Sequence, residues 1–264
     1  MTAALDRTMF ALVELDLLAV HAGTRLPFPL RVPSFGRIAQ ERRQLLADAA
    51  GTLAARGLAT DRGPTGVAAA LVAALRRHRG TVDLVVVEGA TVTGVVALVD
   101  DRGGVVCRQS IGGAAGPVVV DRVPGSAWTE ALLSHVPRAT AAPVMPITVP
   151  PGVVGDATRL LENTAGIAAP AQRIRALVRE RGGDEGIVDA LVDLLPSVTG
   201  RGQLGAVVRR PGEPADRRLE VSWLDGPRGR VRVNTDDNGW LSVNPLRHVE
   251  LVRALREAAT AVHS

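Results

Sequence analysis

Two series of short β-branched segments, separated by glycine-rich turns, limit the fold of this chain more than any other feature. The first series lies within residues 81–123 and the second within residues 201–243. Valine and threonine are enriched in strands, and consecutive strands joined by short turns pair antiparallel. Several segments of the first series are apolar almost throughout, which indicates that both faces of the sheet are covered. The sequence therefore predicts a central, mostly antiparallel sheet in an α/β (α+β) fold.

Helical periodicity precedes each series. Apolar residues recur at helical spacing from Ile38 to Leu53, and the following Arg56-Gly57-Leu58 predicts a Schellman ending with Gly57 in the left-handed conformation. A second helix is predicted from Pro64 to Arg79, with Gly80 as its stop.

A proline-rich segment, residues 137–155, separates the two series and has the composition of a stiff linker. On either side of it the same order recurs: helices, a strand meander and a closing helix. We interpret residues 1–136 and 156–264 as two half-repeats of an internal duplication with quasi-two-fold symmetry, within a single domain that spans the whole chain. The alternative is convergence of two ordinary meanders.

The acidic segment 234–245 has two possible interpretations. Its first residues follow the spacing of a calcium-binding loop, but the twelfth position, which needs a bidentate carboxylate, is Pro245. We therefore predict a hairpin turn in which Asn238-Gly239 supplies the positive φ. Asn244 as N-cap and Pro245 as first helical residue then predict the start of the last helix.

The composition excludes several kinds of chemistry. All 31 basic residues are arginines, so a Walker A loop and a pyridoxal Schiff base, which both require lysine, are excluded. Cys107 is the only cysteine, and we interpret it as a core residue, with a nucleophile as the alternative. No apolar run approaches the roughly 20 residues of a membrane-spanning helix. We expect a cytoplasmic protein without membrane insertion.

No cluster of reactive residues is evident in the sequence. His78 and His248 are expected on solvated helix faces, and the glycines of residues 112–116 in a hairpin loop instead of a phosphate cradle. Glu220 and Asp225 are expected to be surface acids. We predict no catalytic, cofactor or metal site, and therefore a binding protein and not an enzyme.

A net charge of +4 and a pI near 10.8 allow a second hypothesis, a nucleic-acid or anionic-ligand binder. Against it, the arginines are scattered and the six aromatic residues do not alternate with them. Arg230 and Arg232 alternate with valines, which predicts two guanidinium groups on one wet strand face, serving solubility or forming a rim for an acidic partner.

The order of several motifs resembles the EspG family, the cytosolic chaperones of the ESX (type VII) secretion systems of actinobacteria. The resemblance spans nearly the whole chain. The motifs that carry it most specifically are Arg56-Gly57-Leu58, Gln203 with Arg209, Trp223, Asp225, Gly229, Arg230 and Gly239-Trp240.

The resemblance implies a central sheet with two helical subdomains. It also implies a partner, a PE–PPE heterodimer or related ESX substrate, whose apolar helical tip the chaperone covers before export. It also implies a client surface formed by the loop at residues 88–93 and the helices at about 156–195. The loop is short in this chain. The candidate contacts are Glu88, Gly89, Ala90, Thr91, Val192, Leu195 and Val198, with core packing as the alternative role of the last three. We expect the free protein to be a monomer or homodimer.

Overall fold

A computed structural model describes residues 6–100, 103–125, 127–153, 155–156, 170–184, 186, 189, 194, 197–209, 212 and 214–263. The helices are α1 (Leu12–Ala22), α2 (Ala39–Ala55), α3 (Gly66–Arg77), α4 (Ala127–Leu133), α5 (Pro170–Glu180) and α6 (His248–His263). The strands are β1 (Asp6–Phe10), β2 (Ala59–Thr60), β3 (Gly63–Pro64), β4 (Gly80–Glu88), β5 (Thr91–Asp100), β6 (Gly103–Ser110), β7 (Val118–Pro124), β8 (Ile147–Val149), β9 (Gly200–Val208), β10 (Asp216–Gly226), β11 (Gly229–Thr235) and β12 (Leu241–Pro245).

The chain forms two compact units that are interleaved along the sequence. The first unit contains Met1–Pro137, Gln203–Glu220 and Val252–Ser264, and the second contains Arg138–Gly202 and Val221–Leu251. Strand β10 begins in the first unit and ends in the second, as a consequence of this division. Along the chain, β4 to β7 are followed by α4, and β9 to β12 are followed by α6.

The first unit contains strands in the order β1-β7-β6-β5-β4-β9. From β1 to β4 in this order, each strand pairs antiparallel with its neighbour. Val96 lies opposite Cys107, and Cys107 lies opposite Val120. Residues Val95–Val99 are all buried, so both faces of β5 are covered, as predicted. One face packs in a core that includes residues of α1, α2 and α3. On the other face, Trp128 of α4 lies against Gly104 of β6.

Helix α2 ends as the sequence predicts. Gly57 has φ 70°, which lies in the left-handed region. Its N–H donates to the Ala54 carbonyl, and the Leu58 N–H donates to the Leu53 carbonyl at 2.8 Å. These two bonds form the Schellman motif. The start of the helix differs from the prediction, since Ile38 is the N-cap residue and is 64% exposed.

The end of α3 differs from the prediction. Its apolar face is buried, at Val67, Leu71, Val72 and Leu75. The helix, however, ends at Arg77, and Gly80 is the first residue of β4. A Cβ at position 80 would lie 2.5 Å from the Val207 carbonyl oxygen, so glycine serves close packing there and not helix termination.

The second unit contains strands in the order β10-β11-β12-β8. Its described strand pairs are antiparallel, with Trp223 opposite Arg232 and Val233 opposite Val243. Strand β8 lies inside the proline-rich segment that the sequence indicated to be a linker, and it pairs with β12. Ile174 and Val178 of α5 pack in the core of this unit, on the helical face that their spacing predicts.

The acidic segment forms the predicted hairpin turn between β11 and β12. The Asp236 carboxylate accepts hydrogen bonds from the backbone N–H groups of Asn238 and Trp240, at 2.9 and 2.8 Å. Gly239 has φ 81°. Because the Asp236 carboxylate serves the turn, the structure favours the hairpin over the calcium loop.

The predicted start of the last helix is wrong. Asn244 and Pro245 belong to β12, where they are opposite Arg232 and Val231. Helix α6 begins three residues later, at His248, and the Glu250 carboxylate accepts a bond from the Arg247 N–H at 2.7 Å. The Asn-Pro pair is compatible with a strand end as well as with a helix start, because proline at an edge or terminus of a strand loses no ladder bond.

Candidate partner-binding surface

The four candidate contacts of the first unit form the tip of one hairpin. Strand β4 ends at Glu88 and β5 begins at Thr91, and these residues are opposite each other. Gly89 and Ala90 form a two-residue turn, with φ 56° at Gly89, which suits the turns that join twisted strands. All four residues are exposed. The sequence thus located a tight, accessible tip and not an extended loop.

Two neighbouring loop segments contact β5 and the turn at this tip. The Ile111 N–H donates to the Val92 carbonyl at 2.8 Å. A Cβ at Gly94 would lie 2.8 Å from Pro29, and a Cβ at Gly112 would lie 3.4 Å from the Ala90 carbonyl oxygen. The glycine cluster at residues 112–116 therefore joins β6 to β7, as predicted, and its first glycine allows close approach to the hairpin.

A buried amide fixes the segment that supplies Pro29. Gln109 is 1% exposed, and its Oε1 accepts from the Arg31 N–H at 2.7 Å. Its Nε2 donates to the carbonyls of Arg31 and Gly116 at 3.0 and 2.8 Å. With its donors and acceptor satisfied, this side chain connects the two loops that flank β5. The sequence analysis missed it, because a glutamine within a strand gives no local signal of burial.

The remaining candidate contacts belong to the second unit. Val192 and Leu195 lie outside the described residues. Val198 is half-buried in the segment Ser197–Thr199, which leads directly into β9. Within its unit, this segment is held by the end of β10, since the Thr199 N–H donates to the Asp225 carbonyl at 2.8 Å.

The end of β10 and the start of β11 carry a cluster of three side chains, Trp223, Asp225 and Arg230, called the node below. The Asp225 carboxylate accepts bonds from Nε and Nη2 of Arg230, at 2.6 and 2.9 Å, and from Trp223 Nε1 at 3.2 Å. The guanidinium carbon lies 5.1 Å from the centre of the Trp223 ring, a cation–π distance. Arg230 is completely buried. A bidentate ion pair and a stacked ring together stabilise this buried charge.

The node overturns two predictions. Arg230 does not lie on a wet strand face, because its guanidinium turns onto Trp223 and the cross-strand Asp225. Asp225 is not a free surface acid, since its side chain is 16% exposed and is engaged by three donors. Glu220 is exposed as predicted, but it accepts a bond from Arg217 Nε at 2.7 Å.

Two glycines make room for the node. A Cβ at Gly202 would lie 2.0 Å from the Trp223 ring, and a Cβ at Gly229 would lie 2.7 Å from the Thr140 carbonyl oxygen. Gly229 also has φ 118°, which side-chain-bearing residues rarely adopt. The Arg230 backbone donates to Thr140 and accepts from Ala142, so the node also fixes the proline-rich segment.

A second buried charge, in the first unit, was not foreseen. Asp83 of β4 is 2% exposed, and the nearest guanidinium nitrogen of Arg217 is 3.5 Å away. Burial raises the pKa of Asp83; the charge of Arg217 partly offsets this and the charge of Glu220 adds to it. Gly205 leaves space for the crossing guanidinium, because a Cβ there would lie 2.3 Å from Arg217.

Cys107 and His78, two of the potentially reactive side chains, are buried. Burial raises the pKa of the Cys107 thiol to about 12, so this residue stays protonated and packs as a core residue, as predicted. His78 is 9% exposed and not solvated; burial lowers its pKa, and Nδ1 lies 2.8 Å from the Ala74 carbonyl oxygen. His248 is half-buried. In the part of the chain that the structure describes, no three histidine, cysteine or acidic side chains come together as a metal site would require.

One known protein family matches most of the chain. The family model of the EspG family matches residues 11–257. The chain belongs to the EspG family. No curated protein matches the sequence significantly. Among solved structures, this EspG-family chain is similar to the Mycobacterium tuberculosis type VII secretion system chaperone EspG5, which was solved in complex with a PE25–PPE41 dimer. The TM-score is 0.66 at 14% identity, covering 96% of this chain and 95% of the other, which shows a shared fold.

The motifs that indicated the EspG family have structural roles in this chain. The Arg56 guanidinium donates to the Glu14 carboxylate at 2.8 and 2.9 Å and lies 5.7 Å from the Phe10 ring centre. Glu14 is 1% exposed and also accepts from the Ala11 N–H at 2.8 Å. This arginine therefore joins the end of α2 to the start of α1. The Arg209 N–H donates to the Arg79 carbonyl at 2.7 Å.

Proposed function

We propose that the protein is a specific cytoplasmic chaperone of a type VII (ESX) secretion system that binds a PE–PPE heterodimer and keeps it soluble before export. The observation that carries the proposal is the family match over residues 11–257. The likeness in fold to EspG5, a chaperone solved with a PE25–PPE41 dimer, supports the choice of partner. Among the described residues, no helix is long and apolar enough to cross a membrane, which is compatible with this location.

The physical basis of the activity is the covering of an apolar helix end. An exposed apolar patch promotes self-association, and a partner that buries it suppresses that until release. We place the partner surface at the exposed tip Glu88–Thr91 and around Val198, with Val192 and Leu195 as further contacts. The tip is a two-residue turn, so its contribution to the contact is small.

The proposal includes no chemical step, cofactor or metal. Cys107 and His78 are buried, and the Asp225 and Glu220 carboxylates are each engaged by arginine. We further propose that the chain is one EspG-like domain of two half-repeats, residues 1–136 and 156–264, joined by residues 137–155.

Co-expression tests the proposal. The tagged chain is produced with each PE–PPE pair encoded in the same genome, and complexes are isolated by affinity and size-exclusion chromatography. We expect one pair to remain with the chain in a stoichiometric, salt-resistant complex. The absence of a complex with every pair would overturn the proposal. The matched control is the same purification with each pair alone, which should yield aggregated or insoluble PPE protein.

The nucleic-acid hypothesis receives no support from the side-chain geometry. Several arginines are engaged by carboxylates within the fold, among them Arg42 with Asp16, Arg56 with Glu14 and Arg230 with Asp225. Such arginines are not available to neutralise phosphates.

A further inference from the structure

We propose that the node of Trp223, Asp225 and Arg230 is a positioning device for the segment Ser197–Thr199, and thereby sets the partner affinity of the surface around Val198. The inference rests on the proposed function for its second half only. Whether the node holds the segment is a question about the free protein.

The geometry of the second unit supports the first half. The Asp225 carboxylate binds the other two node side chains. The backbone carbonyl of Asp225 accepts from the Thr199 N–H at 2.8 Å and from Thr199 Oγ1 at 3.3 Å. One residue therefore faces the buried arginine with its side chain and the segment with its backbone. A change in the carboxylate is transmitted to the segment through a single residue.

Gly226, the residue after Asp225, packs closely against Ser197 of the segment. A Cβ at Gly226 would lie 3.1 Å from the Ser197 carbonyl oxygen, closer than an ordinary van der Waals contact. Ser197 in turn donates from its hydroxyl to the Leu194 carbonyl at 2.8 Å. The end of β10 thus bonds Thr199 and lies close to Ser197, the two ends of a three-residue segment whose middle residue is Val198.

The cost of the node argues for a role beyond general stability. A buried ion pair must overcome the desolvation of both charges, and an apolar replacement of similar volume is often as stable. The ion pair fixes an orientation, because the bidentate bond and the stacked ring hold the end of β10 in one geometry. A partner surface that must be ordered before binding gains affinity from such preorganisation.

Two substitutions separate positioning from folding. Gly226→Ala retains all three node side chains and adds one methyl group against Ser197; its φ lies outside the left-handed region, so alanine fits the backbone. Asp225→Asn retains the shape and removes the charge. The matched control is Gly116→Ala in the first unit, where the added Cβ would lie 3.7 Å from its nearest neighbour, an ordinary contact.

The first measurement is hydrogen exchange of the free chain at the Thr199 amide. We expect protection in the unmodified chain and in Gly116→Ala, and faster exchange in Gly226→Ala and Asp225→Asn at temperatures well below unfolding. Unchanged exchange in both Gly226→Ala and Asp225→Asn would overturn the proposal, whatever the partner.

The second measurement is the affinity for the PE–PPE heterodimer that co-purifies with the unmodified chain. We expect Gly226→Ala to weaken binding by about fivefold or more while its melting temperature stays close to that of Gly116→Ala. Faster exchange with unchanged affinity would refute the link to binding. If the unmodified chain retains no heterodimer, the proposed function fails, and the exchange data still decide whether the node holds the segment.

Discussion

At the residue scale, the most informative side chains are charges that the fold takes away from water. Glu14, Asp83 and Arg230 are each at most 2% exposed. Glu14 and Arg230 have short bonds to opposite charges, whereas the nearest guanidinium nitrogen to Asp83 is 3.5 Å away. Their partners lie far away in sequence or on a neighbouring strand, and this is why alternation along one strand did not reveal their burial.

Arg230 allows a direct test of the node. Arg230→Met leaves the Asp225 carboxylate in a largely buried site without its cation, and we expect the free energy of unfolding to fall by about 3 kcal/mol. Urea denaturation measures this. The control is Arg218→Ala, which removes an exposed ion pair with Asp216 and should cost no more than about 1 kcal/mol. Equal effects of the two substitutions would contradict a special role of Arg230.

Asp83 predicts a pH effect of defined sign. Its pKa in the folded chain is raised above the ordinary value of 3.8, so the folded chain holds this proton more tightly than the unfolded chain does. Ionisation of Asp83 therefore lowers stability as pH rises through the folded pKa. Relative to the unmodified chain, Asp83→Asn should gain stability as pH rises from the ordinary pKa of 3.8 through the raised pKa of the folded chain. Parallel melting-temperature profiles for the two chains would refute this assignment.

At the element scale, the strands could be predicted well because their signal is local. Runs of β-branched residues ended by glycine define β4 to β7 and β9 to β12 without knowledge of the partners. The boundaries were less predictable. Gly80 and Pro245 carry signals of a helix stop and a helix start, but both belong to strands, because contacts from distant residues outweigh local propensity. The strand β8 was missed because three residues between prolines resemble a linker.

The hairpin tip supports a prediction about the proposed partner surface. Ala90→Arg adds a long charged side chain at an exposed turn and should leave the fold unchanged. If the tip contacts the partner, we expect affinity for the co-purifying PE–PPE heterodimer to fall about tenfold or more. Asp237→Arg, at the exposed turn between β11 and β12, is the control and should bind normally. A similar affinity for both variants would remove the tip from the proposed surface.

At the scale of the whole molecule, the interleaving of the units matters more than the linear halves. The first unit includes Gln203–Glu220 and Val252–Ser264, which are distant in sequence from the rest of it. Gly80 packs against Val207 and Val262, and the Arg79 carbonyl accepts from the Arg209 N–H. The sequence suggested the repeat through the order of its elements, but no local pattern could show which segments complete each unit.

This interleaving predicts the behaviour of a truncated chain. Residues 1–136 alone lack β9 and α6, so the edge of β4 is left unpaired and Gly80 loses its contacts with Val207 and Val262. We expect this fragment to aggregate or to unfold without cooperativity, as measured by size-exclusion chromatography and circular dichroism during heating. The complete chain under the same conditions is the control. A monomeric fragment with a sharp thermal transition would show that the half-repeat folds independently.

The prolines on either side of strand β8 affect whether another chain can pair with the edge of the sheet. It is the last strand in the order of the second unit, and Pro146 and Pro150 stand directly before and after its three residues. Proline has no N–H to offer an incoming strand, so the free edge is limited to three residues, which disfavours pairing with another chain. Under the proposed function the chain binds partners with exposed apolar surface, and a blunted sheet edge lowers the risk that it joins their aggregates.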